Sequence, residues 1–92
     1  MNKQELRSIL INKGISRSYY SLEGGLPNEK LCLDYENGKW IVYYSERGIR
    51  TGIRYFDNED DACDYLLHAI EESASGKYWS AMISQELGGS II

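Results

Sequence analysis

The sequence predicts an α+β fold: an N-terminal helix, then an antiparallel sheet of three to four strands, then one long and one short C-terminal helix packed on the sheet. Two patterns predict it. Apolar residues recur at helical spacing near both ends of the chain, and they alternate with polar residues around a central Asn-Gly pair. Because 92 residues suffice for one hydrophobic core but not for two, residues 1–92 are expected to form a single domain.

The first helix is predicted over residues 3–13. Asn2 and Glu5 have the spacing of a capping box, in which each side chain accepts a hydrogen bond from the backbone N–H of the other residue. One apolar face follows, formed by Leu6, Ile9 and Leu10. Gly14 suits the left-handed position after a helix, and Ile15 can pack back on the last turn.

The strands come next. Residues 16–22 predict a short first strand, and residues 23–28 predict a loop because they contain Gly24-Gly25 and Pro27. Asn37-Gly38 between alternating apolar runs predicts a two-residue hairpin turn, since such a turn needs positive φ at both central residues. The expected register pairs Glu36 with Lys39, Tyr35 with Trp40, Leu33 with Val42 and Leu31 with Tyr44.

A second turn is predicted at Arg47-Gly48. A two-residue turn there brings three side chains of the next strand to the core face, namely Thr51, Ile53 and Tyr55. A three-residue turn with a bulge would turn that strand over. We favour the two-residue turn because the alternative places Arg50 and Arg54 inward.

The long second helix is predicted to begin after Asn58, which can cap it, and to end at Gly76. Its expected buried stripe is Ala62, Leu66, Ala69 and Ile70, with Cys63 and Tyr65 flanking. Helical spacing resumes after Gly76 at Trp79, Met82, Ile83 and Leu87, which predicts the short C-terminal helix.

The net charge of −4 argues against a binder of duplex DNA, which normally carries the opposite sign. Residues 57–72 hold seven acidic residues and no Lys or Arg, whereas the rest of the chain carries +3. Acids in the first turn of a helix are stabilising for structural reasons alone. The same acids could form a negative surface that attracts a basic partner. No spacing of acids, cysteines and the single histidine matches a metal site.

The sheet face opposite the core is expected to carry Tyr43, Arg50 and Arg54. Tyr and Arg are enriched where proteins bind other proteins, but the same residues fit a cross-strand pair of Asp34 with Arg54 or a face covered by the C-terminal segment. Stacking of single-stranded nucleic acid is a third option. The pairs Tyr19-Tyr20 and Tyr43-Tyr44 each place one ring away from the core, so exposed tyrosines are expected.

Catalytic chemistry is not indicated. The only histidine, His68, lies one turn after Asp64 on the predicted helix, and Cys32 and Cys63 occupy structural positions. We therefore expect no enzyme, no cofactor and no metal. Two cysteines do not form a disulfide framework, and no apolar run has the length of a membrane span. These features are typical of a cytoplasmic protein that does not bind membranes.

Three stretches of the sequence resemble small immunity proteins of bacterial polymorphic toxin systems, including contact-dependent growth inhibition. They are residues 20–25 (YSLEGG), 40–48 (WIVYYSERG) and 56–67 (FDNEDDACDYLL). The resemblance implies a cytoplasmic protein that binds one toxin domain, often a nuclease, and blocks its active site or its access to substrate. Such families diverge at their interfaces, so the resemblance identifies no contact residue.

The leading hypothesis is therefore an immunity protein that neutralises a toxin domain by stoichiometric binding, with no direct contact to nucleic acid. The candidate protein-binding residues are Tyr43, Glu46, Arg54, Asp57, Glu59, Asp60, Asp61 and Asp64. The alternative is a regulatory or adaptor domain that binds single-stranded nucleic acid or a host protein through Tyr43, Arg50 and Arg54.

Overall fold

The computed structural model describes residues 1–74. Its elements are helix α1 (Lys3–Asn12), a 3-10 turn (Arg17–Tyr19), strands β1 (Tyr20–Ser21), β2 (Lys30–Glu36), β3 (Lys39–Glu46) and β4 (Ile49–Phe56), and helix α2 (Glu59–Ala74). The α+β class and this order match the prediction. The predicted helix end at Gly76 and the short C-terminal helix lie outside the described residues. No helix within residues 1–74 is long and apolar enough to cross a membrane.

The four strands form one sheet in the order β1-β2-β3-β4, and this sheet is mixed. The prediction of an antiparallel sheet is wrong for β1, where Tyr20 and Ser21 pair in parallel with Leu31 and Cys32. The cause is the connection over residues 22–29. It crosses one face of the sheet before β2 begins, so β2 runs in the same direction as β1.

Local signals place the first helix and the hairpin as expected. The capping box is formed, with the Glu5 N–H donating to Asn2 Oδ1 at 2.8 Å and the Asn2 N–H donating to Glu5 Oε1 at 2.9 Å. The β2–β3 hairpin has the predicted register throughout. Asn37 and Gly38 both have positive φ, as this turn requires.

Strand β4 departs from the prediction halfway along its length. The turn at Arg47-Gly48 has two residues, and Thr51 lies opposite Tyr44 as predicted. Beyond Thr51, however, the register shifts, because β3 contributes one residue where β4 contributes two, Gly52 and Ile53. Gly52 has a φ of +62°, and this bulge turns the rest of β4 over. Ile53 and Tyr55 are therefore not on the core face.

The main core lies between α2 and the face of the sheet that carries Leu33 and Val42, which we call the helix face. Residues of α2 complete it, and they are Ala62, Cys63, Leu66 and Ile70. Helix α1 adds Leu6 and Leu10. The opposite side, which we call the second face, has a small core of its own formed by Cys32, Ile41 and Tyr43.

Candidate protein-binding surface

Tyr43 is buried, so its prediction as a contact residue is corrected. Only 1% of the residue is exposed. Its hydroxyl donates to the Gly25 carbonyl oxygen at 2.7 Å, so the loop over residues 22–29 covers the ring. Burial raises the pKa of Tyr43 to about 12, and the phenol stays neutral. Tyr43 therefore holds the loop on the second face and does not face solvent.

Arg50 completes the cover over Tyr43. Its guanidinium carbon lies 4.4 Å from the centre of the Tyr43 ring, within the range of a cation–π contact. The same guanidinium donates to both carboxylate oxygens of Glu36, at 3.3 and 2.8 Å. This hydrogen bonding lowers the pKa of Glu36 from its ordinary value. The cation near Asp34, at 3.9 Å, is Arg50, so the predicted pair of Asp34 with Arg54 is not formed.

Arg54 lies on the helix face because of the bulge. It pairs with Val42 in the register, and its Nε donates to the Tyr65 hydroxyl of α2 at 3.4 Å. The predicted common face of Tyr43, Arg50 and Arg54 is therefore not formed. The first is buried, the second is bound to Glu36, and the third projects from the other side of the sheet.

Two of the predicted acidic contact residues are bound to the start of the chain. The Lys3 backbone N–H, in the first turn of α1, donates to Glu59 Oε2 at 2.7 Å. Asp60 forms an ion pair with the amino group of Met1. Because the N-terminal turn of a helix leaves backbone N–H groups without partners, Glu59 stabilises the start of α1. The role of Glu59 is therefore first of all structural. Asp60, by contrast, remains largely exposed.

Asp57 and Asp61 lie at the connection from β4 to α2, and both are exposed. Asp57 forms an ion pair with Lys39, and this contact lowers the pKa of Asp57. Asn58 caps α2 as predicted, since its Oδ1 accepts from the Asp61 N–H at 2.8 Å. Asp61 in turn accepts a hydrogen bond from the Asn58 side chain at 3.2 Å. Both carboxylates keep faces open to solvent.

Asp64 is exposed and forms no ion pair within residues 1–74. It lies one turn after Asp60 and Asp61 on the side of α2 away from the buried stripe. We call the set Asp57, Asp60, Asp61 and Asp64 the acidic surface. Asp57 and Asp60 have cationic partners, so among residues 1–74 the uncompensated negative charge of this set is that of Asp61 and Asp64.

The structure adds exposed apolar and aromatic residues that the sequence analysis had assigned to the core face. Tyr55 is 66% exposed and Ile53 is 40% exposed, both on the second face of β4. Tyr65 of α2 is also 40% exposed, and its ring lies 5.5 Å from that of Phe56. The signal that could have identified Tyr55 was Gly52, since an isolated glycine inside a strand pattern suggests a bulge.

These side chains lie along β4 and the adjacent part of α2. Among residues 1–74, β4 is an edge strand of the sheet, with Ile53 and Tyr55 on its second face and Arg54 on its helix face. We call this the β4–α2 surface, and it consists of Ile53, Arg54, Tyr55, Asp61 and Tyr65. Aromatic residues and arginine beside charged residues are typical of the centre and rim of protein interfaces.

Glu46 does not belong to this surface. It pairs with Ile49 beside the Arg47-Gly48 turn, whereas Arg54 and Phe56 lie toward the other end of the sheet. Glu46 is six positions after Trp40 along β3, a distance of roughly 20 Å at the usual rise per residue. Its nearest cation is Arg47, whose Nε lies 3.9 Å away. Glu46 therefore lies apart from the acidic residues of α2, and its role as a contact residue stays a prediction.

The cysteines lie in the two cores. Burial raises the pKa of Cys32 and of Cys63 to about 11, which keeps both thiols protonated at neutral pH and poorly nucleophilic. His68 is exposed on α2. Across residues 1–74, no three His, Cys, Asp or Glu side chains are placed to hold a metal ion. The geometry of the β4–α2 surface is suited to binding a protein.

Comparisons with known protein families, with curated proteins and with solved structures give no match to this chain.

Proposed function

We propose that this protein is an immunity protein, a stoichiometric inhibitor that binds a toxin domain through the β4–α2 surface and the neighbouring acidic surface. The partner is a basic protein, most simply a nuclease, and binding takes place in the bacterial cytoplasm. One observation carries the proposal. Exposed tyrosines lie on both β4 and α2, at Tyr55 and Tyr65, and the same helix carries the exposed carboxylates of Asp61 and Asp64.

The two kinds of side chain have different tasks in such a complex. Carboxylates attract a basic partner over a distance and raise the association rate. Tyr55, which is 66% exposed, is able to lose that exposed area on contact, and buried aromatic anchors carry much of the binding free energy in protein interfaces. A toxin is silenced at low concentration only if the dissociation constant is nanomolar or lower, about −12 kcal/mol.

The proposal predicts that a neighbouring gene encodes a toxin-type domain, and the function is tested with that gene product. We expect the purified chain to abolish the nuclease activity of that domain at a ratio of one to one, and to protect cells that express it. The matched experiment titrates the chain alone against single-stranded RNA and DNA in a gel shift. Retardation of nucleic acid together with undiminished nuclease activity would reject the proposal and indicate a nucleic-acid-binding protein.

The binding surface is tested by a single charge reversal, Asp64→Lys. Asp64 forms no ion pair within residues 1–74, so we expect the fold to be unchanged while association with the toxin domain slows several-fold at low salt. The difference should shrink as salt screens the charges. Glu29→Lys is the control, because Glu29 is equally exposed but lies before β2. Equal association rates for wild type and Asp64→Lys would remove the acidic surface from the proposal.

A further inference from the structure

A groove opens along one side of α2. Its volume is about 550 Å³, and its floor is the helix face of β3 and β4. Most of the lining area is apolar and includes Leu31, Val42, Tyr44 and Ala69, while three glutamates, Glu29, Glu46 and Glu72, also line the groove.

The two sides of α2 differ in what they contact. On one side, Asp60 pairs with the amino group of Met1 and Glu71 pairs with Lys13 at 2.9 Å, so α1 lies there. The other side carries Tyr65 and Ala69, which line the groove. Ile49, on the helix face of β4, is 62% exposed. Within residues 1–74, the helix layer therefore covers the sheet on the β1 side of α2 and leaves the β4 side open.

We propose that the groove is a docking site for the chain's own residues 79–87. The described chain ends beside it, since Ser73 is one of the lining residues, and eighteen more residues, 75–92, follow. Trp79, Met82, Ile83 and Leu87 have the spacing of one apolar helical face. A short stretch of chain after Ser73 thus joins the open groove to the apolar residues of 79–87, which have no assigned partner.

The covalent connection favours residues 79–87 over a separate molecule as the occupant of the groove. A tethered segment meets the groove at an effective concentration in the millimolar range, so it binds before a separate molecule of ordinary abundance. Burial of an indole ring beside Val42 and Ala69 removes a large apolar area from water. A second copy of the chain and a different protein are the other possible occupants, and the experiment separates them.

The experiment uses a variant whose only tryptophan lies within residues 79–87. In Trp40→Phe, the full chain keeps Trp79 alone, and its fluorescence reports whether the ring is exposed. We expect emission at shorter wavelength than free tryptophan and weak quenching by acrylamide, both independent of protein concentration. Ala69→Arg in the same background should move the emission to longer wavelength and raise quenching several-fold. His68→Arg, on the solvent side of the same helix turn, is the control and should change neither.

A second variant keeps the test valid if Ala69→Arg unfolds the chain. Thr51→Arg introduces the same charge from the floor of the groove at an exposed position of β4, and it should expose Trp79 as Ala69→Arg does while circular dichroism stays unchanged. Full quenching of Trp79 in the parent would overturn the proposal. Protection of Trp79 from acrylamide that neither arginine variant reduces would also overturn the proposal, because the segment would then lie elsewhere. Protection that rises with protein concentration would overturn it too, because it would indicate binding by a second copy.

Discussion

At the scale of single residues, the small core of the second face depends on Arg50. Its guanidinium lies over the Tyr43 ring and binds Glu36 with two hydrogen bonds. It thereby shields an aromatic ring that no helix covers within the described part of the chain. A partly exposed ion pair alone contributes little to stability, so the main contribution of Arg50 is its packing on the ring.

The substitution Arg50→Ala tests that contribution. We expect the free energy of unfolding to fall by about 1 to 2 kcal/mol, since the cation–π contact and the packing of the side-chain stem are both lost. Arg47→Ala is the matched control, because Arg47 is exposed in the neighbouring turn and approaches Glu46 only at 3.9 Å. Urea denaturation of the two variants measures the difference, and equal midpoints would show that Arg50 has no such role.

At the scale of elements, the bulge in β4 decides which side chains form the candidate site. Gly52 and Ile53 lie opposite Tyr43 alone, and the shift places Phe56 against Trp40 on the helix face and Tyr55 in solvent. Without the extra residue, Tyr55 and Ile53 would face α2, and Arg54 would join the second face. The β4–α2 surface exists because one glycine accepts a positive φ.

The bulge is tested with Gly52→Val and Gly52→Asn. A Cβ at Gly52 meets no heavy atom within 4 Å, so the cost comes from the backbone conformation alone. We expect Gly52→Val to lower the free energy of unfolding by about 1 to 2 kcal/mol, and Gly52→Asn to lower it clearly less, since Asn tolerates positive φ. Thermal or urea unfolding checks the order of the two variants, and a valine variant as stable as the asparagine variant would contradict a left-handed Gly52.

At the scale of the whole molecule, ion pairs hold together elements that are distant in sequence. Arg7 and Lys3 of α1 both bind Glu23 in the loop before β2, Lys39 binds Asp57, and Arg50 binds Glu36. These contacts lower the pKa of each carboxyl group, and hydrogen bonding to the cation is the largest cause.

The lowered pKa values predict acid sensitivity. A carboxyl group with a lower pKa in the folded chain adds stability above its unfolded pKa, and it loses that contribution as the pH falls through the folded pKa. The ordinary values are 4.5 for Glu36 and 3.8 for Asp57. We therefore expect the free energy of unfolding to decline as the pH falls below about 5.5, and to go on declining below the ordinary pKa values of these groups.

Glu36→Gln should make that decline shallower, because one of the linked groups no longer titrates. Glu29→Gln, which removes a carboxyl group that forms no ion pair within residues 1–74, should leave the slope as it is in the wild type. Denaturant titrations at a series of pH values measure both slopes. Identical slopes for the wild type and Glu36→Gln would contradict the lowered pKa of Glu36.

The sequence by itself determined the features that depend on neighbouring residues. The capping box of Asn2 and Glu5, the cap at Asn58 and the hairpin turn at Asn37-Gly38 each rest on hydrogen bonds or dihedral angles within four residues. The hairpin register followed because a two-residue turn at Asn37-Gly38 pairs Glu36 with Lys39, and this pairing places Leu33 opposite Val42. Residues 57–72 were identified as the acidic segment, and their exposed positions at Asp61 and Asp64 remain in the candidate site.

Only the tertiary structure decided which of these residues face solvent. Tyr43 is buried because the loop over residues 22–29 crosses its ring, with the contact made by Gly25, 18 residues earlier in the chain. Glu59 accepts a hydrogen bond from the Lys3 N–H because the N-terminus of α1 lies beside it. Arg54 lies on the helix face because of the bulge, which also packs Phe56 against Trp40 and Tyr65. Each outcome depends on contacts between residues far apart in sequence, and the local pattern of residue types does not specify such contacts.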